Sequence, residues 1–258
     1  EMKLQILSFL DPSVQKQAAP LVTDETQLLP SVQFLKYFKE ASTPSFFSKE
    51  DFNLLETQGY IIKDNFLGSL AEAQKIYNEA EDLYSSGKLQ KSSMSRGESS
   101  WVNNKVRGDM VMWLNNKSVI QDSHVCIYSL IEKIDALRME LNNNCAFNSQ
   151  QTQIHLACYP GEGARYVRHL DAYQGGSQRR ITMLYYFNVG WKPGDGGELR
   201  MFCNEKNANR PGPTDKDGKG YLDVEPVADR LLVFQSRTIE HEVLPAYKKR
   251  YALTIWFY

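Results

Sequence analysis

The sequence predicts a mainly β fold, a sandwich or barrel with a jelly roll among the candidates, flanked by helices that cover one sheet. Three observations carry this. After Ser149 the chain turns into short apolar and β-branched runs separated by Gly, Pro and Asp, at 152–159, 180–188, 198–202, 230–235, 241–244 and 250–257. Upstream lie two longer amphipathic stretches, at 69–86 and 119–141. Four polar residues, His169, Asp171, His241 and Arg250, sit beside or inside the strand-patterned runs.

In chain order, residues 1–48 read as an extension. Pro12, Pro20, Pro30 and Pro44 interrupt any long helix, with one short helix expected over 32–40. The folded domain then covers 49–258, with the barrel core at about 150–258. Ser48 ahead of Glu50 and Asp51 is a helix start, and Gly59 behind Leu54 and Leu55 is its stop. A short strand at 60–62 leads to the 69–86 helix, closed by Gly87. The Ser-, Asn- and Lys-rich stretch 91–108 reads as a long loop, followed by a strand at 110–114. The second helix, 119–141, is expected to end at Asn142-Asn143-Asn144, and 204–220 to be an exposed excursion of the rim. No internal repeat is present.

The bulk numbers weigh against several classes. With 30 basic and 31 acidic residues in 258, nothing calls for nucleic acid or an acidic membrane surface as partner. No apolar run approaches the roughly 20 residues that span a bilayer, and the N-terminal decapeptide lacks the basic and small-residue signals of a secretory leader. It begins with Glu1, so the start of the natural chain is not implied. The four cysteines, Cys126, Cys145, Cys158 and Cys203, form no C-x-x-C pair, which excludes a zinc finger or thioredoxin-type site on spacing. Free thiols point to a reducing compartment, the cytoplasm or also the nucleus, and a monomer is expected.

The chemistry lies in the four polar residues. A His-x-Asp step arises by chance about once in five chains of this composition, so its weight comes from its company. A second His follows about seventy residues later, and an Arg nine beyond that. Two His and one carboxylate on one face of a metal, with other positions open, is the donor set of non-haem Fe(II) oxygenases. An Arg adds a bidentate anchor for the far carboxylate of a dicarboxylic acid cosubstrate, namely 2-oxoglutarate. On the last strand Arg250, Ala252, Thr254 and Trp256 share one face, and a guanidinium placed there needs an anion. Thr254 and Trp256 are expected to wall the cosubstrate site mainly by packing. Tyr186 shares a face with Thr182 and Leu184 and offers a second hydrogen bond to the same carboxylate. Tyr159 is expected toward the metal-bound end. His124 reads as a structural histidine, and His155 is open between structure and site.

These residues resemble a known family. Ala157-Cys158-Tyr159-Pro160-Gly161, Tyr166-Val167-Arg168-His169-x-Asp171, Tyr185-Tyr186-Phe187-Asn188, Gly196-Gly197-Glu198-Leu199-Arg200 and His241-Glu242-Val243-x-Pro245-Ala246-Tyr247 before Arg250-Tyr251-Ala252 look like the catalytic domain of prolyl 4-hydroxylases. The likeness runs from about Gly59 to Tyr258, and is nearest the oxygen-sensing branch that acts on hypoxia-inducible factor or on the SCF ubiquitin-ligase adaptor. It implies a double-stranded β-helix, Fe(II) on His169, Asp171 and His241, and 2-oxoglutarate on Arg250, Tyr186 and Tyr159. It also implies O2 as cosubstrate, ascorbate as cofactor, and 4-hydroxylation of a protein-borne proline. Arg107-Gly108-Asp109 matches a tripeptide beside that branch's mobile loop, so 91–109 is the expected lid. Arg107, Asp109, Tyr166 and Arg179 are the expected substrate contacts. The chain ends at Tyr258 without the C-terminal helix of the hypoxia-inducible-factor enzymes, no Cys-rich finger precedes the domain, and 172–178 differs in composition. On those grounds the ligase adaptor is the preferred substrate. A nucleic-acid demethylase with the same metal ligands and a catalytically silent binding barrel stay open as alternatives.

Overall fold

The strand that carries Arg250 is the middle of the larger sheet. The structure, a computed structural model, describes residues 46–258 apart from 97–98, 104–105, 115–122, 146–147, 174–175, 203–217 and 219. The chain divides into Glu1–Phe46 and Phe47–Tyr258, and the architecture below is that of the second unit. Nearly all of the expected extension, the helix over 32–40 and most of the loop 204–220 lie outside the described residues.

The described elements are α1 (Lys49–Thr57), β1 (Tyr60–Lys63), α2 (Leu70–Ser85), β2 (Gln90–Lys91), β3 (Met94–Arg96), β4 (Ser99–Trp101), β5 (Met110–Trp113), α3 (Val125–Asn144), β6 (Thr152–Tyr159), β7 (Ala164–His169), β8 (Ile181–Tyr186), β9 (Leu199–Phe202), β10 (Leu222–Val224), β11 (Arg230–Gln235), β12 (Glu240–Ala246) and β13 (Arg250–Phe257). Seven strands form one sheet in the order β1-β11-β8-β13-β6-β5-β2, and four form a second, β10-β9-β12-β7. The two face each other across a core that includes Leu184, Leu199, Met201, Leu232, Phe234 and Val243. This is the jelly roll, or double-stranded β-helix.

Local chemistry explains most boundaries. At α1 the Ser48 hydroxyl accepts from the Asp51 amide, and Asp51 in turn accepts from the Ser48 amide, a reciprocal cap. At α2 the cap is one-way: the Ser69 hydroxyl accepts from the Glu72 amide. The outer face of β13 is covered by α2, whose Tyr77 and Tyr84 rings meet Tyr251 edge-on at 5.4 and 6.3 Å. Hence β13 is buried on both faces, and its apolar run is nearly continuous.

Four expectations need correction. The helix expected over 119–141 is described from Val125 to Asn144. Its N-cap residue His124 makes no side-chain cap bond; instead Glu79 of α2 accepts from the Cys126 and Ile127 amides at 2.9 and 2.8 Å. A start set by a residue more than forty positions away leaves no local signal. The helix also runs through the Asn tract, because Asn142 is held on the Ser149 backbone at both ends of its amide. The stretch 91–108 is not all loop: β3 and β4 pair as a hairpin, with Met94 opposite Trp101. Finally, β7 and β10 are additional strands. β7 is a half-buried edge strand with arginines at Arg165 and Arg168, and β10 has only three residues, so neither shows a clean apolar alternation.

Candidate active site

The opening between the two sheets holds a cavity of about 380 Å³, within the size range of small-molecule sites. His169 ends β7 and His241 lies in β12, directly across the ladder. Asp171 falls just past the end of β7, so a bend rather than strand alternation turns its carboxylate back to the histidines. The three donors lie within 4.8 Å of one another. Asp171 Oδ1 is 3.6 Å from His169 Nε2, and its Oδ2 is 3.8 Å from His241 Nε2.

Backbone carbonyls fix the tautomers. His169 Nδ1 lies 2.8 Å from the Val167 oxygen and His241 Nδ1 lies 3.1 Å from the Ile239 oxygen. A carbonyl can only accept, so each Nδ1 donates and each Nε2 is the ring nitrogen turned to Asp171. Burial, and then His169, push the His241 imidazole down to about 4, which keeps it neutral and able to ligate. Burial raises Asp171, but His241, His169 and the Thr182 hydroxyl outweigh it and hold the carboxyl well below the usual carboxylate range. Thr182 donates to Asp171 Oδ2 at 2.6 Å and is backed by Ser236 at 2.9 Å. Two imidazoles and one carboxylate, leaving other positions open, are the donor set that suits a non-haem Fe(II) ion.

Arg250 forms the other pole. Its Nε donates to the Gly197 carbonyl at 2.7 Å, which aims the rest of the fork. Its Nη2 and the Tyr186 hydroxyl are both buried and both without a partner. The guanidinium lies 5.0 Å from the Tyr186 ring and 4.9 Å from the Tyr159 ring. Burial raises the Tyr186 phenol, so it stays a neutral donor. Two unsatisfied donors side by side are what an incoming carboxylate would satisfy. The turn before them is built tightly. Gly196 has φ +70°, and a Cβ there would sit 2.2 Å from the Pro245 oxygen; a Cβ on Gly197 would sit 2.8 Å from Arg250 Cδ.

Of the residues singled out from sequence, His169, Asp171, His241, Arg250, Tyr159, Tyr166, Arg107, Asp109, Arg179, Thr254 and Trp256 line this one cavity, with Tyr186 behind Arg250. Their roles differ from one another in ways the sequence does not show. The register pairs Tyr159 with Arg250, so its ring stands at the anchor end. Arg107 closes on Asp109 through two bonds of 2.7 and 2.9 Å and lies 4.6 Å over the Tyr166 ring. Tyr166 in turn stacks on His169 at 3.8 Å, so this group braces a metal ligand as well as lining the cavity. Arg179 lies 3.7 Å over Trp256.

Residues 154–258 match the 2OG-Fe(II) oxygenase superfamily. Over 209 residues the chain is 32% identical to "Prolyl hydroxylase EGLN3" of Homo sapiens, covering 79% of this chain and 80% of that one. The chain belongs to the prolyl hydroxylase family of 2OG-Fe(II) oxygenases. A prolyl-4-hydroxylase from Pseudomonas putida superposes with a TM-score of 0.65 and 31% identity, over 81% of this chain and 96% of that one. A prolyl hydroxylase from Trichoplax adhaerens, in complex with a hypoxia inducible factor oxygen degradation domain peptide fragment, gives 0.66 and 30%, over 92% and 94%. The family implies Fe(II), 2-oxoglutarate and O2, which the donor set and the unpartnered Arg250 and Tyr186 atoms fit.

Sequence reasoning passed over Thr182 and Gly197 as parts of the site. Thr182 is hidden in the apolar run of β8, and only its register opposite Trp256 and Phe234 reveals an inward hydroxyl. The Gly196-Gly197 pair was visible in the sequence, but its closeness to Arg250 was not. His124 is the structural histidine expected, beside Ser123 and Asp82. His155 is buried in the cavity wall.

Proposed function

We propose that this protein 4-hydroxylates a proline in a polypeptide substrate, with Fe(II) on His169, Asp171 and His241 and 2-oxoglutarate anchored on Arg250. The observation that carries the reading is the pairing of a three-donor metal face with two unsatisfied buried donors, Arg250 Nη2 and Tyr186 Oη, in one cavity. When bound, iron and 2-oxoglutarate supply the oxidising power, turning O2 and the diacid into succinate, CO2 and one oxygen for the substrate C–H bond. The protein's own residues do the rest. Arg250 and Tyr186 hold the far carboxylate and thereby fix which end of the diacid reaches the metal. Thr182 orients Asp171, and the Arg107–Tyr166 stack holds the His169 ring. The apolar wall of Leu184, Leu199 and Val243 limits water around the reacting centre.

For substrate, the Trichoplax relative with its bound peptide supports a hypoxia-inducible-factor-type degradation segment, and the SCF ubiquitin-ligase adaptor is the competing candidate. Ascorbate would keep the iron reduced. The unpaired Cys126, Cys145 and Cys158 support a cytoplasmic setting. The test is mass spectrometry of both candidate peptides incubated with the protein, Fe(II), ascorbate and 2-oxoglutarate. A gain of about 16 Da, one oxygen atom, on a proline is expected. Succinate release with neither peptide modified would overturn both substrates.

A further inference from the structure

A third group of unpartnered atoms lies in the wall of the same cavity, away from the anchor. His155 is 3% exposed and its Nδ1 has no partner; Trp256 is 6% exposed and its Nε1 has none. The two rings meet edge to face, centroids 4.7 Å apart at 88°. On β13, Trp256 lies six residues from Arg250, and His155 pairs with Thr254 between them. At roughly 3.3 Å per residue, this end of the wall is well over 10 Å along the strand from the anchor. His155 is not one of the three clustered metal donors.

The surroundings mark this end as the way in. Trp113, paired with His155 across the β5–β6 ladder, packs 5.1 Å from His155 and 5.9 Å from Trp256 while remaining 48% exposed. Arg179 lies 3.7 Å over the Trp256 ring and is itself held by Tyr258 and Gln153. Aromatic walls suit a pyrrolidine ring, but two buried ring nitrogens without partners need something polar. Burial, followed by Arg107 and Arg179, pushes the His155 imidazole down to about 3, so the ring is neutral and carries one N–H. Indole can only donate. If the histidine N–H is on Nδ1, both groups donate, and they call for one acceptor with two lone pairs. A main-chain carbonyl is that acceptor, and it is the hydrogen-bonding group that a prolyl residue keeps after losing its N–H.

We propose that His155 Nδ1 and Trp256 Nε1 form a subsite that hydrogen-bonds a main-chain carbonyl of the substrate polypeptide beside the target proline, making His155 a specificity-determining residue. This rests on the prolyl hydroxylase reading above. It adds a polar contact to the peptide that neither the metal nor Arg250 provides.

The test uses the Fe(II)- and 2-oxoglutarate-loaded protein under anaerobic conditions, with the degradation-domain peptide and the adaptor peptide as probes. On binding, the Trp256 indole and His155 Nδ1 resonances should shift and saturate together. His155→Phe should weaken peptide binding about tenfold, and the loss should appear in the peptide KM rather than the 2-oxoglutarate KM. His155→Asn, which keeps a polar atom at the δ position, should recover part of it and guards against a variant that merely misfolds. Peptide binding that leaves both resonances unmoved, or an unchanged affinity in a folded His155→Phe protein, overturns the subsite while leaving the hydroxylase reading intact. Failure of the wild type to bind or hydroxylate either peptide overturns the hydroxylase reading and the subsite with it.

Discussion

Thr182→Val removes one hydroxyl and keeps the shape of the side chain, so it isolates the support of Asp171. The bond lost is 2.6 Å long, part-buried and made to a carboxylate, and Ser236 loses its 2.9 Å partner at the same time. Hydrogen bonds to charged groups contribute about 1.5–3 kcal/mol. Asp171 is charged with and without metal, so only the orienting part of that should appear in metal binding. We expect about 1–2 kcal/mol, or roughly five- to thirtyfold weaker affinity. The assay is calorimetric titration of metal-free protein with Fe(II) under anaerobic conditions, with Thr182→Ser as the variant that restores the hydroxyl. A Val variant that binds iron within about twofold of the wild type would refute the claim that this hydroxyl holds the ligand in place.

Other consequences follow from the same geometry. Arg250→Lys replaces a fork braced by Gly197 with a single point charge, and should raise the 2-oxoglutarate KM by at least about tenfold in a succinate assay. Asn188 donates to the Pro226 and Tyr251 carbonyls and accepts from the Tyr251 amide, all buried; Asn188→Ala should therefore cost about 3 kcal/mol in urea unfolding. His155 and His241 titrate in the fold at about 3 and about 4, against an ordinary 6.5. The unfolded chain therefore binds protons that the fold excludes. Their stabilisation is complete above about pH 6.5 and declines toward pH 4, by about 1.4 kcal/mol per pH unit for each histidine. The urea midpoint of metal-free protein should fall from pH 7 to pH 5, with a shallower slope in His155→Phe.

Much of this was legible in the sequence because the signals were local. Ser48 with Asp51, Ser69 with Glu72, and the full lengths of β6, β11 and β13 are each set by residues within a few positions. The site was legible for another reason: metal ligands and an anion anchor demand particular side chains, and His169, Asp171, His241 and Arg250 allow few substitutes. Features decided by distant partners were hidden. Glu79 sets the start of α3, Gly197 aims Arg250, and Thr182 becomes a support of Asp171 only once β8 is placed beside β13 and β11. Strands with polar faces were hidden too, since β7 carries Arg165, Arg168 and His169 in six residues.

The central claim is that one cavity holds both the metal and the diacid, in a fixed direction. An anaerobic crystal structure of the protein with Fe(II) and 2-oxoglutarate tests it most directly. The account predicts iron on His169 Nε2, His241 Nε2 and an Asp171 carboxylate oxygen, with the far carboxylate of the diacid on Arg250 Nη2 and the Tyr186 hydroxyl. Iron held by another donor set, or a diacid that leaves Arg250 Nη2 and Tyr186 without partners, would contradict it.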